Sequence, residues 1–239
     1  MTFEELRDFR RELHANPEVS TQEKETQERI YKALEKTGLS PKKTGGTGLL
    51  VHFKSEKEGN KVLLRADIDA LPIEETNDFE YRSIHKGVSH KCGHDGHAAI
   101  MLGVAAELAT NKPERGEVCL VFQPAEEGIG GAKAMIEDGL FEQFPCDQLF
   151  AIHNAPGMPV GKFGASPGIA PGICRDLRRW PTAQRPQEVD VRLLQFVRGL
   201  DGLGLIIDYA EIYGHRNIAE RLGDAIDECG CFFLFMPSN

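Results

Sequence analysis

The sequence has a single tryptophan and four tyrosines in 239 residues, six cysteines, and no lysine after residue 162. No apolar run approaches the length that a bilayer-spanning helix needs, so a membrane partner is not expected. The cysteines, at 92, 119, 146, 174, 229 and 231, are too sparse for a disulfide framework in a chain this long. They read as reduced thiols, one of them a candidate ligand. Positive charge is also scarce: 28 Lys and Arg stand against 37 Asp and Glu, a formal charge of -9. That balance repels phosphate backbones and anionic lipid, which argues against a nucleic-acid partner. The opening residues Met1-Thr2-Phe3-Glu4-Glu5 lack the basic start and apolar run of a secretory signal, so the expected location is the cytoplasm. No internal repeat or low-complexity tract supports a solenoid or propeller. What is present, 41% apolar and 27% charged residues, describes an ordered globular chain of one large domain or two small ones.

The order of elements predicts an α/β fold, a sheet layered by helices. Phe3, Leu6, Phe9 and Leu13 recur at helical spacing up to Asn16-Pro17, where proline disfavours continuation. Ser20 with Glu23 matches a capping box, and Ile30, Tyr31 and Leu34 give the next helix its apolar face until Gly38 and Pro41. Leu49 to Phe53 and Val62 to Leu64 read as two buried strands forming a hairpin. Ala98 to Ala109 reads as a buried helix, and Val118 to Phe122 and Leu149 to Ile152 as further strands.

Chemistry concentrates at the ends of those strands. Cys92-Gly-His94-Asp95-Gly-His97 sets a thiol, two imidazoles and a carboxylate within six residues. Glycines at 93 and 96 would let the backbone turn so that Cys92 and His94 converge, and a thiolate with an imidazole is a normal partial shell for zinc or a similar ion. Further ligands are available from Glu126-Glu127, after one strand, and from His153, at the end of another. Taken singly, the glutamates read as an acidic helix start and His153 as a satisfied strand-end histidine. Together they point to a metal. Asp67 and Asp69 follow a strand and either support such a site or shape its loop. Cys229-Gly-Cys231 has no second pair, which makes it a weak metal signal, and reads as structural or accidental.

The runs Phe9-Arg-Arg-Glu-Leu-His14 with Pro17-Glu18, Arg65-Ala-Asp-Ile-Asp-Ala-Leu-Pro-Ile73, Cys92-Gly-His-Asp-Gly-His97, Phe122-Gln-Pro-Ala-Glu-Glu127 and Ala151-Ile-His153 carry a resemblance. The chain resembles the metal-dependent amidohydrolases of the aminoacylase and carboxypeptidase superfamily, which includes hippurate hydrolases, N-acetyldiaminopimelate deacetylases and auxin-conjugate hydrolases. The resemblance implies an enzyme that hydrolyses the amide bond of small N-acyl amino acids, releasing a carboxylic acid and a free amino acid, with a dipeptidase as the neighbouring alternative. It implies two divalent ions, zinc or manganese with cobalt or nickel as substitutes, bridged by Cys92 and further held by His94, Glu127 and His153. Glu126 would be the general base, and Asp67 and Asp95 would support the site from behind. His97 belongs to the motif without an implied role. In such a site, two ions sharing a ligand would lower the pKa of a water, Glu126 would take its proton, and one ion would polarise the carbonyl.

The resemblance covers residues 1 to 171, the N-terminal part of a di-metal hydrolase catalytic domain. Residues 172 to 239 form a tail without it. This tail has eight arginines and no lysine, and includes an irregular segment around Trp180, a helical stretch near 218–226 and an apolar stretch at 232–236. Its one histidine, His215, fits neither the lid histidine nor the last metal ligand that the family would supply. The expectation is a lid domain missing or replaced, as by a shifted reading frame or truncation, with the alternative of an inactive metal-binding fragment. With the lid missing, the family's homo-oligomer is not expected.

Overall fold

The computed structural model describes residues 1–127, 130–154, 163–164 and 205–211, the last two segments as backbone strands. Helix α1 (Phe3–Ala15) opens on a reciprocal cap: Thr2 Oγ1 accepts the Glu5 N–H at 3.2 Å and Glu5 Oε2 accepts the Thr2 N–H at 2.7 Å. It closes at Asn16, before Pro17. Helix α2 (Lys24–Lys36) follows, and both lay apolar stripes against α3 (His94–Thr110), with Leu13, Ile30 and Leu34 fully buried. On α3, Gly103 lets α1 approach closely, because a β-carbon there would stand 2.9 Å from Leu6 Cδ1.

The capping box expected from Ser20 and Glu23 does not form. Glu23 is the N-cap of α2 but makes no side-chain cap bond; its carboxylate turns inward, and the Ser20 hydroxyl donates to Asp69 Oδ2 at 2.6 Å. The orphan N–H groups of Glu25 and Thr26 are taken by Glu18 instead, at 3.2 and 2.7 Å. Tertiary partners for two buried polar side chains outweigh a local cap.

The strands β1 (Lys42–Thr44), β2 (Gly48–Lys54), β3 (Lys61–Asp67), β4 (Glu117–Gln123), β5 (Gln148–Asn154), β6 (Phe163–Gly164) and β7 (Leu205–Glu211) form one sheet in the order β1-β2-β4-β3-β5-β7-β6. At its centre β3 runs parallel to β4 on one side and β5 on the other, while β2 and β7 flank this core antiparallel. The expected hairpin between β2 and β3 is therefore corrected: β4 lies between them, and the tight hairpin is β1 to β2. The reason is burial. The run Val118–Gln123 is buried at every position, so it needs a neighbour on each edge, and the loop between β2 and β3 passes over its start. Ser55 N–H donates to Gly116 O at 3.0 Å and Glu117 N–H to Asn60 O at 3.1 Å. Gly116 has φ +74, and a β-carbon on it would meet Asn60 O at 2.2 Å.

Helix α3 covers one sheet face with α1 and α2. The short α4 (Gly131–Glu137) and α5 (Leu140–Gln143) cover the other, over Leu63, Cys119, Val121 and Leu149. Parallel β3, β4 and β5 thus bring Asp67, the turn after Gln123, and His153 to one end of the sheet, beside the N-terminus of α3. Strand β7 belongs to the segment expected to be a foreign tail, and it extends the sheet beyond β5, with Ile206 opposite His153. No helix among the described residues is long and apolar enough to cross a membrane. The irregular segment around Trp180, the helix near 218–226, the apolar stretch at 232–236, His215, Cys174, Cys229 and Cys231 lie outside the described residues, as do Gly128 and Ile129.

Candidate metal centre

Two turns at that end of the sheet are each held by a specific device. Gly93 caps α3 with φ +88, a left-handed conformation that suits glycine, and a β-carbon there would stand 2.8 Å from the Asn154 side chain. Cys92 and His94 therefore sit on either side of a forced turn. Gly96, by contrast, lies inside the first turn of α3, with no positive φ, and the expected turning role falls to Gly93 alone. After β4, Ala125 adopts φ +48, unusual for a residue with a β-carbon. Two carboxylates hold this turn: Glu23 Oε1 accepts the Ala125 N–H at 2.8 Å and Asp69 Oδ2 accepts the Glu127 N–H at 3.1 Å. Glu126 and Glu127 are presented from it.

The structure brings Cys92, His94, Glu126, Glu127 and His153 together around His94. Its Nδ1 faces Asp69 O at 2.9 Å and Asp69 Oδ1 at 3.2 Å, which assigns the proton to Nδ1 and turns Nε2 inward. That Nε2 is buried without a hydrogen-bond partner, 3.6 Å from Asp67 Oδ1, 3.8 Å from Glu127 Oε1 and 4.0 Å from Glu126 Oε2. Cys92 Sγ lies 3.6 Å from His153 Nε2, and its thiol also faces His94 and Glu127. Ligand atoms of one thiolate and one imidazole bound tetrahedrally to zinc stand about 3.6 Å apart. The donors Cys92–His94–His153, His94–Glu126–Glu127 and Asp67–His94–His97 each gather within 4.8 Å. The spacing, the soft and hard donor mix and the unpartnered Nε2 all fit divalent ions.

Burial presses the His153 pKa down to about 4, helped by His97, so the ring is neutral, the form in which an imidazole coordinates a metal. For His94 burial acts in the same sense, but Asp67, Asp69 and the Cys92 thiol outweigh it and raise the pKa well above the usual value. Burial pushes the Cys92 thiol up. Loading an ion would therefore release protons from both.

Asp67 and His97 form a supporting chain. His97 Nδ1 faces Asp67 Oδ1 at 2.5 Å, and its Nε2 faces Asn154 twice, at the backbone N–H, 2.9 Å, and at Oδ1, 3.0 Å. Arg65 Nη1 donates to the other Asp67 oxygen at 2.8 Å, and Arg65 Nε to Gln123 Oε1 at 2.7 Å. Both nitrogens of His97 are thereby engaged, which gives that residue a role the motif alone did not. Asp95 sits elsewhere: its carboxylate accepts from Arg10 Nε at 3.0 Å and His14 Nδ1 at 2.9 Å, on the α1 side of the α3 N-terminus. It ties down the helix that carries His94. Sequence reasoning left Asp69 undecided and missed Glu23, His14 and Asn154; the partners of Glu23 and His14 lie 24 to 102 positions away.

The profile of the Peptidase family M20/M25/M40 matches residues 63–226. A thermostable carboxypeptidase of Saccharolobus solfataricus is 44% identical over 165 residues, covering 67% of this chain and 42% of the relative. An N-acetyl-L-cysteine deacetylase of Bacillus subtilis is 44% identical over 162 residues, covering 67% and 38%. Among solved structures, a dinuclear metal-binding peptidase of the M20 family from Bacillus subtilis superposes with TM-score 0.64 at 36% identity, over 69% of this chain and 47% of that one. The chain thus spans less than half the length of these relatives.

Proposed function

Because this chain belongs to the Peptidase family M20/M25/M40, we propose that it carries the metal-binding part of an amidohydrolase that cleaves N-acyl amino acids into a carboxylic acid and a free amino acid. Cys92, His94, Glu127 and His153 would hold two divalent ions, zinc or manganese; the Cys92 thiol faces the other three side chains. Such ions would supply an activated water and a polarised carbonyl. Asp69 fixes the His94 ring through Nδ1, so that Nε2 is delivered to the centre without rotational freedom. Glu126, 3% exposed, takes a proton from the attacking water on its carboxylate and returns it to the departing nitrogen. Its place is set by the Ala125 turn, which Glu23 and Asp69 grip from either side.

The observation that carries this reading is the buried, unpartnered His94 Nε2 surrounded by carboxylate oxygens at 3.6 to 4.0 Å. Without an ion, only a proton offsets its lost hydration, facing carboxylate oxygens that stand beyond hydrogen-bond distance. The deacetylase relative favours acyl amino acids; the carboxypeptidase relative favours a second reading, in which the amide belongs to a peptide. The three cysteines among the described residues, Cys92, Cys119 and Cys146, are all free, which fits a reducing compartment such as the cytoplasm. The test is hydrolysis of N-acetyl and N-benzoyl amino acids and dipeptides by the full chain, with manganese or zinc and with chelator. We expect metal-dependent release of the amine, reduced about 100-fold or more in Glu126→Gln with metal content unchanged. A metal-loaded chain that turns over none of these would refute the activity, and an unaffected Glu126→Gln would remove the base.

A further inference from the structure

A second buried polar cluster, separate from the candidate ligands, lies between α1, the loop leading to Cys92, and the first turn of α3. At its centre is His14, 6% exposed, with Nδ1 at 2.9 Å from Asp95 Oδ2 and Nε2 at 3.0 Å from Glu75 Oε2. Each ring nitrogen faces a carboxylate. A neutral imidazole has only one N–H, so both contacts are hydrogen bonds only if the ring is an imidazolium. The ring packs against Phe79 and Tyr81, with 5.4 and 5.7 Å between centroids, and these two rings are themselves stacked at 4.4 Å.

The two carboxylates grip the ligand segment at its two ends. Glu75 also pairs with Lys91, the residue before Cys92, and Asp95 is the residue after His94. Among the described residues, other charged or titratable groups at this cluster are Arg10 of α1, 3.0 Å from the same Asp95 oxygen, Tyr81, whose ring Arg11 of α1 covers at 4.7 Å, and His90 of the loop, whose ring lies 6.3 Å from that of His14. Loop and helix carry one negative group each, and α1 supplies the cation between them.

We propose that His14, as an imidazolium bridging Glu75 and Asp95, is a positioning residue that sets the Cys92–His94 turn, so that metal affinity depends on the protonation of a side chain outside the metal centre. The inference rests on the metal-centre reading above. Burial lowers the His14 pKa, but the bonds to Asp95 and Glu75 outweigh it and Arg10 opposes them, leaving the pKa raised. The sign follows: the clamp is complete below the ordinary histidine value and is lost as pH rises through the raised one.

The experiment is a cobalt(II) titration of the metal-depleted full chain, followed through the thiolate-to-cobalt charge-transfer absorption, at a series of pH values. His14→Gln, which keeps size and one donor, is expected to bind cobalt about 10-fold more weakly than wild type near pH 6.5. That ratio should fall towards one at alkaline pH, where wild type has lost its own clamp. Glu75→Gln keeps one acceptor oxygen where Glu75 uses two, for His14 and for Lys91; its affinity relative to wild type is expected to be reduced near pH 6.5 and to return towards one at alkaline pH, and it carries the test if His14→Gln does not fold. A ratio independent of pH, or unchanged affinity in both variants, would overturn the proposal. Failure of the underlying reading looks different: wild type itself would show no charge-transfer band, or a band undiminished in Cys92→Ser.

Discussion

Replacing Glu23 by alanine should unfasten the turn that presents Glu126 without touching any candidate ligand. Glu23 is fully buried, and its carboxylate accepts the Thr47 hydroxyl at 2.7 Å and the Ala125 N–H at 2.8 Å. Hydrogen bonds to a charged acceptor contribute about 1.5 to 3 kcal/mol each, and a buried N–H left unpaired costs about 1 to 3 kcal/mol. Against this stands the cost of burying the carboxylate, visible in the upward push that burial gives its pKa. The net loss expected for Glu23→Ala is about 3 kcal/mol. With a urea slope of about 2 kcal/mol per molar, the unfolding midpoint of the full chain should fall by about 1.5 M. Glu23→Gln keeps an acceptor for the Ala125 N–H, and should lose about 1 kcal/mol. The left-handed backbone at Ala125, φ +48, costs about 1 to 2 kcal/mol to hold, so the freed turn should relax and carry Glu126 away. Urea titration followed by circular dichroism measures the effect. A Glu23→Ala midpoint within about 0.3 M of wild type would refute the reasoning.

Asp69→Asn should weaken zinc binding about 10- to 100-fold, measured by competition with a chromophoric chelator, because it disturbs the group that aligns His94; unchanged affinity would deny Asp69 that task. Burial pushes the Glu75 pKa up, but Lys91 and His14 outweigh it and hold it at about 2, so its contribution to stability is complete above pH 4.5 and lost as pH falls towards 2. Glu75→Gln should accordingly be destabilised relative to wild type at pH 6 and not at pH 2, as urea midpoints at the two pH values would reveal. Gly116→Ala should destabilise by at least about 1 kcal/mol, since φ +74 and the 2.2 Å approach to Asn60 O both oppose a β-carbon; a thermal midpoint equal to that of wild type would contradict this.

Much of the architecture was legible because its signals are local. Phe3, Leu6, Phe9 and Leu13 mark α1, proline ends it, and the apolar runs mark β4 and β5 within two residues of their ends. The ligand candidates were legible for the same reason: Cys92 and His94 are two residues apart, and the other candidates sit at strand ends that a parallel sheet collects. What failed was non-local. Ser20 and Glu23 have the spacing of a cap but spend their polar atoms on Asp69, Thr47 and Ala125, partners up to 102 positions away. The β2–β3 hairpin was the simplest pairing of neighbouring strands, but no local pattern says that β4 will insert between them. Asp95, expected to support the site from behind, does so through partners that adjacency does not reveal: on a helix, one position along from His94 turns the side chain about 100° around the axis, towards Arg10 and His14 of α1.

The central claim is that Cys92, His94, Glu127 and His153 hold divalent ions. Its most direct test is elemental analysis of the full chain, saturated with zinc or manganese and freed of loose metal, beside Cys92→Ser and His94→Ala. The account predicts two ions per wild-type chain and a clear loss of bound metal in each folded variant. Wild type retaining no metal, or both variants retaining as much as wild type, would contradict it.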